Sequence, residues 1–185
     1  MSWLQLVYRL PTQPSRKRIY VWRQLRGMGA VYLQDCCCML PRTPDTEQQL
    51  TAVAAKVREF GGDATLSVLA PAEPGWEERM VALVNRARDE EYQELVNTIE
   101  RLEDEIARET KKGKFTFAAL EEVEDELDRL QRWLGRVQSR DLFSAPSGEV
   151  ATTALVRVRS QLETFQAAVY ERERALAPEN GPADE

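Results

Sequence analysis

Two stretches carry side chains whose types and spacing could do chemistry: SRKRIYVWRQLR at 15–26 and CCC at 36–38. In the first, Arg16, Lys17 and Arg18 fall in the opening turn of an expected helix, where the backbone dipole favours negative charge. A turn built only for stability would carry Asp or Glu there. With the Ser15 hydroxyl and the free N–H groups of a helix start, these cations make an anion-binding corner. Arg16 and Arg23 lie on the outer face of the helix, flanked by Lys17 and Arg26, so the basic stripe continues along it. A phosphate backbone or a small oxyanion suits such a stripe. Ser15, Arg16, Lys17, Arg18, Arg23 and Arg26 are therefore the candidate anion- or DNA-binding residues. The competing reading is a solvated basic face whose cations pair with acidic residues elsewhere.

The cysteines read differently. Adjacent cysteines cannot wrap a tetrahedral metal unaided, because the usual sites use pairs separated by two or more residues. The chain has three Cys in all and no His. A strand over CCCMLP sends Cys36 and Cys38 to one face and Cys37 to the other, and free cysteine behaves as a small buried apolar residue. Strand filling is the expectation, and a reactive or metal-touching thiol is the alternative. The lack of His also removes the commonest general base and any Ser-His or Cys-His arrangement. No catalytic residue, metal site or cofactor is expected, and the chain reads as non-enzymatic.

The elements that must position these residues follow from periodicity. WLQLVYRL alternates as a strand, with Leu4, Leu6, Tyr8 and Leu10 on one face. Pro14-Ser15 starts a helix whose apolar side is Ile19, Val21, Trp22, Leu25 and Met28, closed by Gly27 and Gly29. AVYLQ and CCCMLP are two strands joined around Gln34-Asp35. Thr43-Pro44 opens a second helix with proline at its first position, and Leu50, Val53, Val57 and Phe60 form its buried stripe. ATLSVL is a fourth strand. The predicted core is Leu4, Leu6, Trp22, Leu25, Val53, Val57, Leu66 and Val68. The order is the split βαβ or ferredoxin-like βαββαβ arrangement, with two helices on one face of an antiparallel sheet.

APAEPG at 70–75 marks a boundary, and beyond it the pattern is purely helical. Tyr92, Leu95, Ile99, Leu102 and Ile106 form one seam, on a helix that starts near Glu77 and runs roughly 50 Å at 1.5 Å per residue. Leu120, Val123, Leu127, Leu130, Leu134 and Val137 form a second. Ala151, Leu155, Val158, Leu162, Phe165 and Val169 form a third. Three seams joined by short breaks imply an antiparallel three-helix coiled coil or bundle. The chain is thus an α+β protein with a ferredoxin-like domain over 1–70, a helical bundle over 76–176 and a disordered tail over 177–185. KKGK at 111–114 is ordinary helix capping, and the acidic DEEYQEL and LEEVEDELD are outer faces of bundle helices.

Charge divides the chain along the same line. Residues 1–42 carry Arg9, Arg16, Lys17, Arg18, Arg23, Arg26 and Arg42 against Asp35 alone, although the whole chain stands at −6. A basic head on an acidic body implies an anionic partner for the head, or a head-to-body contact within the chain or a dimer. No apolar run approaches the roughly 20 residues of a membrane span, and WLQLVYRL follows Met1 without a signal peptide. The expected setting is cytoplasmic, with reduced thiols.

WLQLVYRLPTQPSRKRIYVWRQLRGMGAVYLQDCCCMLP, the second helix closed by Gly61-Gly62, and NRARDEEYQEL at 85–95 resemble the amino-terminal domain of the chromate resistance protein family ChrB. The likeness covers most of residues 3–175. It implies a role in chromate-responsive regulation of efflux operons. The full-length family carries a further carboxy-terminal domain that is expected to be missing after Ala175 and supplied by a separate partner. The first domain is also similar to the central domain of the repressor PaaX and to the small CRISPR adaptation nucleases. Those nucleases carry a metal-binding Asp at the end of the first strand, where this chain has Arg9, so the likeness does not carry nuclease activity. The expectation is a homodimeric, DNA-binding regulator that does not enter a membrane. The alternatives are a chromate-binding or thiol redox accessory protein, and a protein-interaction module whose coiled coil docks a partner.

Overall fold

The computed structural model describes residues 1–176 of the 185-residue chain. It is α+β, with a four-stranded antiparallel sheet and five helices. In chain order the elements are β1 (Trp3–Arg9), α1 (Ser15–Gly27), β2 (Val31–Gln34), β3 (Cys37–Pro41), α2 (Pro44–Glu59), β4 (Asp63–Leu69), α3 (Trp76–Lys111), α4 (Phe117–Gln138) and α5 (Ser147–Leu176). The strands lie in the order β2-β3-β1-β4. Leu6 of β1 pairs with Cys38 on one side and Leu66 on the other.

Strand alternation fixes what each face of the sheet buries. Leu4 and Leu6 share one face with Cys38 and Leu40, and Val21 and Leu25 of α1 and Leu50, Val53, Ala54 and Val57 of α2 close over them. Trp3 faces the other way, with Val31 and Met39. That face is covered by Val84 and the partly buried Trp76, Met80 and Val81 of α3, and by Phe143. Trp3 meets Trp76 edge-on at 5.8 Å and stacks on Phe143 at 5.9 Å. With both faces covered, every residue of β3 is buried.

The chain divides into two compact units. The first is Met1–Arg88 with Arg140–Ala145; the second is Asp89–Ser139 with the described residues from Pro146 onward. The first unit runs past the proline-rich stretch at 70–75 because its sheet has a second apolar face to cover. The tail expected over 177–185 lies outside the described residues.

Two residues of the expected core, Trp22 and Val68, are at the surface, as is Ile19 from the expected apolar side of α1. Ile19, Trp22 and Val68 are 46%, 44% and 50% exposed. Val21 and Leu25 set the buried line of α1; at about 100° per residue, Trp22 stands a quarter-turn off it and Ile19 nearly opposite. Val68 sits on edge strand β4, outside the packed cluster, and Leu66 is only partly buried against it. The other five core residues, Leu4, Leu6, Leu25, Val53 and Val57, are buried.

Local signals at α2 hold as read. Thr43 caps the helix, accepting from the Thr46 N–H at 3.1 Å while Thr46 Oγ1 accepts from the Thr43 N–H at 2.9 Å, an arrangement worth about 1 kcal/mol. After α2, Gly62 passes so close to β1 that a Cβ there would lie 2.2 Å from the Arg9 carbonyl oxygen. The three helical seams of the second unit are buried from Tyr92 to Ile106, from Val123 to Val137 and from Ala151 to Val169. There α4 packs on α5, and Arg157 of α5 donates to Glu103 of α3 at 2.6 Å. Among the described residues, no helix is long and apolar enough to cross a membrane.

Candidate functional site

A cis peptide joins Gln13 to Pro14, and α1 begins at Ser15 with no acidic residue in its first turn. Its six candidate residues go to different places. Arg16, Arg18, Arg23 and Arg26 are exposed, and Lys17 is half-buried. Lys17 Nζ turns back to donate to the Phe60 carbonyl at 3.1 Å and lies 5.3 Å from the Phe60 ring. Phe60 is the C-cap of α2, so this cation neutralises the negative end of a neighbouring helix. Arg26 stacks 5.2 Å over the Trp22 ring. Arg23 lines a groove of about 640 Å3 between α1 and α2, with Gln49 and Lys56.

Ser15 and Arg18 come together in a separate cavity of about 710 Å3, open to solvent. Trp22 and Ile19 of α1 line it, with Tyr8 and Arg9 at the end of β1, Leu10 just after it, Tyr32 of β2, and Asp35 and Cys36. The two phenols meet at 3.1 Å between hydroxyl oxygens. Burial raises the Tyr8 hydroxyl above its ordinary pKa; burial and the contact with Tyr8 raise that of Tyr32 further. Both are neutral near pH 7, so the cavity wall offers hydroxyls rather than phenolates.

Cys36 corrects the strand reading. Asp35 and Cys36 form the connection between β2 and β3, and Cys36 has φ +63°, in the left-handed region. Its carbonyl accepts from the Tyr8 N–H at 2.9 Å, which ties the turn to β1, and its side chain is exposed. Cys37 and Cys38 begin the strand and are buried on opposite faces. Cys37 Sγ accepts from Gln5 Nε2 at 3.3 Å. Burial pushes the Cys38 thiol up to about 12, with the other two cysteines adding to it. Of the three, only Cys36 is placed for chemistry.

Sequence reasoning passed over Tyr8, Trp22 and Tyr32 as candidate site residues, and gave a reactive thiol only as the alternative for the three cysteines. One signal was present: Arg18, Trp22 and Arg26 recur every four residues, which puts them on one line of a helix. Among the described residues, no group of three or more His, Cys, Asp or Glu could hold a metal ion.

Fold and site together define an α+β protein that carries a basic, aromatic-bearing helix on a four-stranded antiparallel sheet. The chain belongs to the family described as Protein ChrB, N-terminal, whose model matches residues 18–176, as the motifs of the first helix and NRARDEEYQEL implied. It is similar to Protein ChrB of Cupriavidus metallidurans, 31% identical over 88 residues. That stretch covers 48% of this chain and 27% of the relative, so the match spans about a quarter of the relative's length.

Proposed function

We propose that this chain is a non-enzymatic, cytoplasmic regulatory module of chromate resistance that binds DNA through α1. One observation carries the reading. Arg16, Arg18 and Arg23 are exposed on a helix with no acidic residue, and among the described residues of the first unit no carboxylate pairs with any of them. Cations left unpaired along one helix suit a row of phosphates. In this reading the first unit is ferredoxin-like, and the helices of the second form an antiparallel three-helix bundle through which two copies associate. The test is anisotropy of labelled promoter duplex against salt. Affinity should fall as salt rises, with a log–log slope of about 0.9 per phosphate contacted. No binding at low salt sinks the proposal.

A second reading is favoured by the cavity, which brings Ser15, Arg18 and the exposed Cys36 together. Here the site holds a small oxyanion, chromate, and oxidation of Cys36 by it supplies electrons. Calorimetric titration with chromate and sulfate, followed by thiol counting, tests it. Binding of neither anion, with all thiols intact, rejects it.

A further inference from the structure

We infer that the cavity beside α1 receives one unstacked base of a single-stranded nucleic acid, while the arginines of α1 hold the neighbouring phosphates. This deepens the nucleic-acid reading of α1 and rests on it. The first argument is size: about 710 Å3 falls in the roughly 300–1,000 Å3 range of organic-ligand sites, far more than a tetrahedral oxyanion fills. The second is the lining. Tyr8, Tyr32 and Trp22 supply aromatic rings and Leu10 and Ile19 aliphatic side chains, and a base of any sequence can stack on aromatic rings.

The third argument is charge. Asp35 lines the cavity together with Arg9 and Arg18, and its carboxylate can accept from the exocyclic amino group of a base. Positive charge borders the cavity at Arg9 and Arg18, and Arg26 follows Arg18 and Trp22 at four-residue spacing on one line of α1. Such a lining can meet both parts of a nucleotide, the phosphates at the arginines and the base at the carboxylate and the aromatic rings. The fourth is Trp22 itself, left 44% exposed beneath Arg26. A helix that touched only duplex phosphates would gain nothing from an exposed indole, whereas aromatics among cations are the usual platform for unpaired strands. Bases in a duplex are stacked inside and must be flipped out to reach such a pocket.

The full chain is tested by anisotropy at one salt concentration with a labelled mixed-sequence single strand and its blunt duplex, and with a mononucleotide as competitor. The expected result is tighter binding of the single strand by roughly tenfold or more, the scale of one stacked base. Trp22→Leu, a surface change checked for folding by circular dichroism, should erase that preference. Arg16→Ala should weaken both probes alike. Equal or tighter duplex binding overturns the inference and leaves the DNA reading standing. Binding of neither probe overturns both. A folded Trp22→Leu that keeps the preference, or a mononucleotide that competes as well as the strand, also overturns it.

Discussion

Arg16 and Lys17 are adjacent in the chain and identical in charge, yet the structure gives them opposite roles. Lys17→Ala removes a charged donor from the Phe60 carbonyl at the end of α2 and a cation from the Phe60 ring. A hydrogen bond to a charged group is worth about 1.5–3 kcal/mol, and an exposed cation–π contact about 0.5–1 kcal/mol. Lys17 is half solvated, water replaces part of the first, and Lys56 stays 5.0 Å from the same ring. The net expectation is a loss of about 1.5 kcal/mol. At roughly 2–4 °C per kcal/mol for a chain of this size, Tm falls by about 3–6 °C. Arg16→Ala changes an exposed residue without a partner in the first unit and should stay within about 0.5 kcal/mol. The binding ranks are reversed: Arg16→Ala should make the log–log salt slope for nucleic acid shallower by about 0.9, and Lys17→Ala should leave it unchanged. Differential scanning calorimetry and salt titration of the two variants measure both quantities. A Lys17→Ala protein with unchanged Tm and a shallower slope would refute the assignment, because Lys17 would then be holding phosphate.

Thiol labelling with a disulfide reagent at pH 8 should give one fast-reacting cysteine in the native protein, lost in Cys36→Ser, and three in denaturant; two fast thiols before unfolding would contradict the burial of Cys37 and Cys38. Stability should also fall in alkali. The folded state raises Cys38 from 9.0 to about 12, so it keeps a proton that the unfolded chain has already released. That contribution is intact below about pH 9 and is lost above it by up to about 1.4 kcal/mol per pH unit, with Tyr8 and Tyr32 acting in the same direction. Urea unfolding at pH 8, 9 and 10 should show the decline, and Cys38→Ala should flatten part of it; an unchanged slope in that variant would mean that Cys38 titrates freely in the folded state.

Much of the fold lies in local chemistry, which a sequence shows directly. Pro14-Ser15, Thr43-Pro44 and Gly61-Gly62 mark helix ends by backbone preference, and α1 and α2 begin where those residues place them. The seams over Tyr92–Ile106, Val123–Val137 and Ala151–Val169 recur at helical spacing and are buried, because a helix sets its own periodicity whatever it packs against. The motifs of the first helix also carried the family. The strand order β2-β3-β1-β4, by contrast, comes from the pairings that the structure supplies.

Tertiary structure alone decided the rest. APAEPG is a boundary in composition, but Trp3, Val31 and Met39 need cover, so the start of α3 and Phe143 belong with the sheet. Cys36 looked like strand because residue type does not say where a hairpin turns; the left-handed backbone at its tip made it the exposed thiol. Lys17 looked like its neighbours until the end of α2 placed a carbonyl within 3.1 Å. Tyr8 and Tyr32, 24 residues apart, meet only because β1 and β2 flank β3 in the same sheet. Periodicity reports which way a side chain points from its own element. What it meets depends on elements distant in the chain, and so the basic helix was legible in the sequence while the cavity beside it was not.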